Sequence, residues 1–148
     1  MERILHSSRI GNFLYDPSEF VISEDGLLRY IGDEIDGNNI IIPEGIKNCS
    51  CMFEYCKIVS PPRIPNGVKR CDFMFAHSDI FNAPRIPKSV ESAKGMFKYC
   101  HNLEYPSDIP TTLIYFREIY GSCIRLKEIP KNLPKNEIKK INSIKIKT

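Results

Sequence analysis

The sequence predicts a solenoid: an α/β stack of short units with an extended, strand-lined concave face and short helical turns on the convex side. Three observations predict it. One pattern, Ile-Pro, an apolar residue, Met-Phe, a cysteine, an apolar residue and a proline, returns at a nearly constant interval between Ile42 and Cys123. Every apolar position stays in register from copy to copy. A unit this short cannot bury its own apolar face, so neighbouring units must cover one another.

The register is set by four Ile-Pro pairs, Ile42-Pro43, Ile64-Pro65, Ile86-Pro87 and Ile109-Pro110, at intervals of 22, 22 and 23 residues. Behind each follows Ile46, Val68, Val90 or Leu113, then Met52-Phe53, Met74-Phe75, Met96-Phe97 or Ile119-Tyr120. Cys56, Ser78, Cys100 and Cys123 come next, and then Ile58, Ile80, Leu103 and Leu126. Pro62, Pro84 and Pro106 precede the next start in three copies. Stacking the copies about 4.8 Å apart predicts a ladder of Phe53, Phe75, Phe97 and Tyr120 as the core.

The elements follow in order along one domain, 1–148. Residues 1–41 form an arm and a hairpin cap, in which FVISEDGLLRYI supplies two β-rich runs and Gly26 the positive φ of the turn. Residues 42–128 hold the copies. Within each, apolar spacing around Met-Phe predicts a brief helical turn, and the proline-bearing stretch before the next Ile-Pro predicts extended backbone. Residues 129–148 form a C-terminal cap, its last strand carrying Ile141, Ile144 and Ile146. Lysines between them face solvent and discourage edge pairing.

Composition excludes some classes. With 42% hydrophobic and 26% charged residues, the chain reads as a folded domain. It has no signal-peptide run and nothing near the ~20 apolar residues of a membrane span, so a cytoplasmic, unanchored protein, expected as a monomer, is the reading. The net charge of +3 is uneven: residues 131–148 carry six lysines against Glu137, leaving the remainder at −2. Of six cysteines, Cys49 and Cys71 share one phase with Ala93 and Phe116, and Cys56, Cys100 and Cys123 share another. Thiols at recurring positions are small core residues rather than disulfides. Cys49, Cys51, Cys56 and Cys71 match no common zinc spacing, so no metal and no cofactor are expected. Cys51, out of phase, is the thiol to watch for modification.

These residues resemble the BspA-type leucine-rich repeats, whose units carry an Ile-Pro, a Val, an Ala-Phe or Met-Phe, a Cys and a Leu. The likeness covers about residues 20–126, including the opening FVISEDGLLRYIGDEIDGNNIIIPEGIKNC. It implies a curved leucine-rich repeat solenoid with a strand-lined concave face, and an interaction protein, many members being surface-exposed. Met-Phe in place of the commoner Ala-Phe, the extra proline beside each strand and a loose fourth copy depart from the pattern.

Catalytic patterns do not emerge. His6, His77 and His101 stand at unrelated points, with no phosphate loop, nucleophile elbow or metalloprotease motif, and the chain is read as no enzyme. Residues pointing away from the core along the extended stretches form rows: Val59, Phe81 and Glu104; Ser60, Asn82 and Tyr105; Arg63, Arg85 and Asp108. Aromatic and Arg side chains together have the composition of interface hot spots. Val59, Arg63, Phe81, Asn82, Arg85, Glu104, Tyr105 and Asp108 are therefore the candidate partner-binding residues, and the function is a non-catalytic protein–protein interaction module. The alternatives are a phage- or mobile-element-encoded inhibitor of a host defence enzyme, anti-CRISPR-like, or an immunity protein. A nucleic-acid binder using the lysine tail is a further one, against which the slightly acidic remainder of the surface argues.

Overall fold

In the computed structural model of the chain, residues 15–141 are described. The arm through residue 14 with His6, and Ile144, Ile146, Lys145 and Lys147 of the expected last strand and basic tail, lie outside the described residues.

The hairpin forms from β1 (Phe20–Ile22) and β2 (Leu28–Tyr30), antiparallel, with Phe20 opposite Tyr30 and Ile22 opposite Leu28. Strand alternation turns Phe20, Leu28 and Tyr30 inward and Val21 outward. Gly26 takes φ +84° in the connecting turn, where the Ser23 N–H donates to the Leu27 carbonyl at 2.9 Å. The hairpin then joins the body: the Tyr30 N–H donates to the Met52 carbonyl at 2.9 Å and its ring lies 5.3 Å from that of Phe53.

The observed backbone corrects the expected leucine-rich repeat solenoid. Among the described residues, regular structure amounts to this one two-stranded sheet, a 3-10 turn at Gly37–Asn39 and a four-residue helix α1 (Lys135–Ile138). They contain no strand-lined concave face and no convex helical turns of the BspA-type leucine-rich repeat. Two features of the sequence explain why.

Proline is the first. The extended stretches touch only through isolated parallel bridges, such as Asp36 to Ser60 and Asn82 to Tyr105. Pro61 and Pro62 follow the first bridge, and Pro84 and Pro106 the second. A proline has no N–H to donate, so these two bridges cannot lengthen into a ladder. Those from Asn48 to Arg70, Arg70 to Ser92 and Ser92 to Tyr115 have no adjacent proline and stop where the turns begin.

Left-handed backbone is the second. Where Met-Phe spacing predicts a helical turn, each copy makes two turns whose third residues have φ between 55° and 64°: Cys51 and Tyr55, Phe73 and His77, Gly95 and Tyr99, Glu118 and Ser122. A bond of 3.0–3.3 Å from the fourth residue's N–H to the first residue's carbonyl closes each turn, as from Met52 to Cys49 and from Cys56 to Phe53. Positive φ at the third position is what a type II turn requires and what a right-handed helix forbids. The turns aim the intervening N–H groups at the next copy: Cys51 donates to Asp72, Phe53 to Met74 and Tyr55 to Ala76, at 2.9, 2.8 and 2.9 Å. The same set runs on through Tyr99, which donates to Gly121 at 2.9 Å.

This bonding places equivalent side chains over one another. Phe53, Phe75, Phe97 and Tyr120 are fully buried and stack with ring centroids 5.4, 5.9 and 5.0 Å apart. Met52, Met74, Met96 and Ile119 are buried beside them, as are Ile58, Ile80, Leu103 and Leu126. Asp72 is also buried; its carboxylate accepts the Ser92 hydroxyl at 2.6 Å and the Lys94 N–H at 2.9 Å, and pairs with Arg70 at 2.7 Å. Each donor thereby keeps a partner away from water.

At the C-terminal end of the described residues the chain forms α1. Its residue Glu137 is buried, and its Oε1 accepts the Glu118 N–H at 2.8 Å, while the Lys140 carbonyl accepts the Ser122 N–H at 3.3 Å. These acceptors stand where a further copy would have offered carbonyls.

Candidate partner-binding face

The extended stretches bring four apolar side chains together on one exposed face: Ile35, Val59 and Phe81 follow one another in a row that Glu104 continues, and Tyr105, from the adjacent position, joins it beside Phe81. The Val59 N–H donates to the Ile35 carbonyl at 2.8 Å, the Phe81 N–H to Val59 at 3.0 Å, and the Glu104 N–H to Phe81 at 2.9 Å. Ile35, Val59, Phe81 and Tyr105 keep 54%, 44%, 48% and 43% of their surface in solvent. Phe81 meets Tyr105 edge-on at 5.5 Å. Rigid aromatics fixed by backbone bonds, standing clear of the core, have little rotamer entropy left to lose on contact with a partner.

The other predicted residues divide. Asn82 is bridged to Tyr105 on this face, and Glu104 carries an ion pair to Lys127 at 3.7 Å. Arg63 is drawn to Glu44 at 2.8 Å, a pair with about 70% of each side chain in solvent that holds the guanidinium only weakly. Arg85 has no ion pair among the described residues and lines a cavity of about 370 Å³ with Lys88, Ser107 and Asp108. The Asp108 carboxylate accepts the Lys131 N–H at 3.3 Å.

A second aromatic column, outside the sequence-derived rows, runs along the turns. Tyr55 and His77 lie nearly parallel with centroids 4.4 Å apart, and His77 and Tyr99 at 4.6 Å. Lys98 sits 5.3 Å from the Tyr99 ring and pairs with Glu118 at 2.5 Å. Tyr55, His77 and Tyr99 occupy left-handed positions, which turn their side chains outward. Their shared 22-residue spacing is the signal the sequence offers; it carries no meaning until the turns are known.

Cys49, Cys71, Cys100 and Cys123 are buried, and Cys51 and Cys56 are half-buried. Cys100 and Cys123 donate to the Phe75 and Phe97 carbonyls, each at 3.0 Å. Burial pushes Cys49 up to about 12 and Cys51, Cys56 and Cys100 up to about 11. Cys51, the thiol expected to invite modification, is half-buried and has the Glu54 charge beside it, so thiolate is scarce near neutrality. Among the described residues no group of three or more His, Cys, Asp or Glu side chains is placed to hold a metal ion, and no helix is long and apolar enough to cross a membrane.

Comparison with protein-family models, with curated proteins and with solved structures found no match for the chain.

Proposed function

We propose that the chain is a non-catalytic binding module that holds a partner protein along the row of Val59, Phe81 and Tyr105. The observation that supports it is the exposure of these side chains, with Ile35, in a line pinned by backbone bonds from one copy to the next. Contiguous apolar surface of this kind marks contact surfaces, whereas single exposed apolar residues do not. Arg85, exposed and free of an ion pair among the described residues, four residues after Phe81 in the same copy, is available to meet a carboxylate of the partner. The test is affinity capture from the cells that make the protein, using the native chain, a Phe81→Glu/Tyr105→Glu variant and an Arg63→Glu/Arg85→Glu variant. Both variants retain the native melting transition, and both lose the captured protein; full capture by both contradicts the reading.

A further inference from the structure

The outer column of rings ends abruptly, and the structure shows why. Tyr30 donates its N–H to Met52 just as Phe53 donates to Met74, so Tyr30 corresponds to Phe53 one copy earlier. Two residues on, Gly32 stands where Tyr55 stands after Phe53, but it has neither the left-handed φ of Tyr55 nor a matching backbone bond among the described residues. The inner column therefore continues to Tyr30, whereas the outer one stops at Tyr55, because Gly32 brings neither a ring nor the left-handed turn that would aim one outward. No side chain fits there, because a Cβ on Gly32 would come within 2.3 Å of the Tyr30 hydroxyl.

The missing ring leaves a cavity of about 420 Å³ lined by residues 30–35 and 54–57. None of its lining comes from the copy that holds His77, so it opens on the face of Tyr55 that His77 leaves uncovered. Tyr55 is the most exposed of the tyrosines and phenylalanines among the described residues, at 68%. Three carboxylates, Asp33, Glu34 and Glu54, line the cavity against one cation, Lys57. Glu54 is shared with Arg29 at 3.4 Å, and Glu34 accepts the Asp36 N–H at 3.2 Å. Asp33 makes no hydrogen bond or ion pair among the described residues.

We propose that this cavity receives the guanidinium of an arginine side chain on a partner protein, stacked on Tyr55 as the next member of the column and hydrogen-bonded to Asp33. A flat cation satisfies both demands of the site: it stacks on an aromatic face and presents paired N–H groups to a carboxylate. A neutral ring would meet the first demand alone, and an ammonium, though drawn to the ring, neither stacks flat on it nor presents paired N–H groups to the carboxylate. Ile35 lines the cavity and begins the exposed row, so the two surfaces are continuous. The arginine's source rests on the partner-binding reading, whereas the site itself is open to separate test.

The test uses the full chain with ring-13C-labelled tyrosine and follows the Tyr55 signal by NMR. Acetyl-arginine-amide shifts it saturably with a millimolar Kd; acetyl-citrulline-amide, of the same shape but uncharged, binds at least tenfold more weakly. Asp33→Asn weakens the arginine probe at least fivefold, and Phe81→Glu/Tyr105→Glu leaves it unchanged, which separates this site from the row. Equal binding of the citrulline probe, an unshifted Tyr55 signal, or full affinity in Asp33→Asn overturns the proposal. Free arginine binding tenfold more tightly than the blocked residue overturns the polypeptide source.

Discussion

The Glu137 carboxylate accepts the Glu118 N–H at 2.8 Å, in the place where Asp72, Lys94 and Arg117 each offer a backbone carbonyl to the copy before. The Glu137 side chain and the Lys140 carbonyl, which accepts the Ser122 N–H, together close the C-terminal end of the bonding pattern. The second Glu137 oxygen is held by Lys140 at 3.1 Å, so the buried charge is paired.

Glu137→Ala leaves the Glu118 N–H and Lys140 without their partner, and is expected to cost about 2–3 kcal/mol. Glu137→Gln keeps an acceptor and costs less. Urea unfolding of both variants checks the order; equal losses would assign Glu137 a packing role only.

Gly95 stands at a left-handed position, φ +57°, with a Cβ there meeting the Phe73 ring at 2.3 Å. Gly95→Ala therefore combines backbone strain of about 1–2 kcal/mol with a clash against a neighbouring copy. In Phe73→Ala the clash is absent, so the double variant is less unstable than the sum of the singles. A double-mutant cycle showing additivity would leave the Phe73 contact without an energetic role.

Phe75 stacks between Phe53 and Phe97 and is wholly buried. Phe75→Ala is expected to lose about 3–5 kcal/mol, whereas Phe81→Ala, on the exposed row, loses under about 1 kcal/mol. Thermal melts of the two proteins separate interior from surface ring directly.

Cys51, Cys56 and Cys100 have folded-state values near 11 against an ordinary 9.0. The unfolded chain releases these protons first, so their contribution to stability is complete below pH 9 and is lost as pH rises through about 11. Unfolding midpoints should hold from pH 7 to 8.5 and fall from 9 to 11, and iodoacetamide should label the native thiols slowly at pH 8. Rapid labelling of Cys51 at that pH would contradict its protonated state.

Some parts of this molecule are legible in its sequence. Phase alone puts Phe53, Phe75, Phe97 and Tyr120 in one column, because side chains at equal intervals meet whenever the intervening backbone closes on itself. The hairpin is legible from Gly26, whose positive φ is a local requirement. The leucine-rich repeat solenoid fails on backbone conformation. Pro61, Pro84 and Pro106 favour extended backbone, as expected, but each also removes a donor that a strand ladder needs. Tyr55, Phe73, His77 and Tyr99 take left-handed angles that their residue types disfavour, and bonds to the next copy impose those angles. Phe81 and Tyr105 are legible as outward residues by spacing; the Tyr55–His77–Tyr99 column is not, because it depends on those same turns.

A partner held on the Val59, Phe81 and Tyr105 row is tested most directly by photo-crosslinking in the cells that make the protein. Benzoylphenylalanine is placed at position 81, at position 105 and, as a control, at Asn66 on an exposed turn. One common adduct is expected at positions 81 and 105, and none at 66. Adducts at 66 alone, or at all three positions alike, would contradict binding on that row.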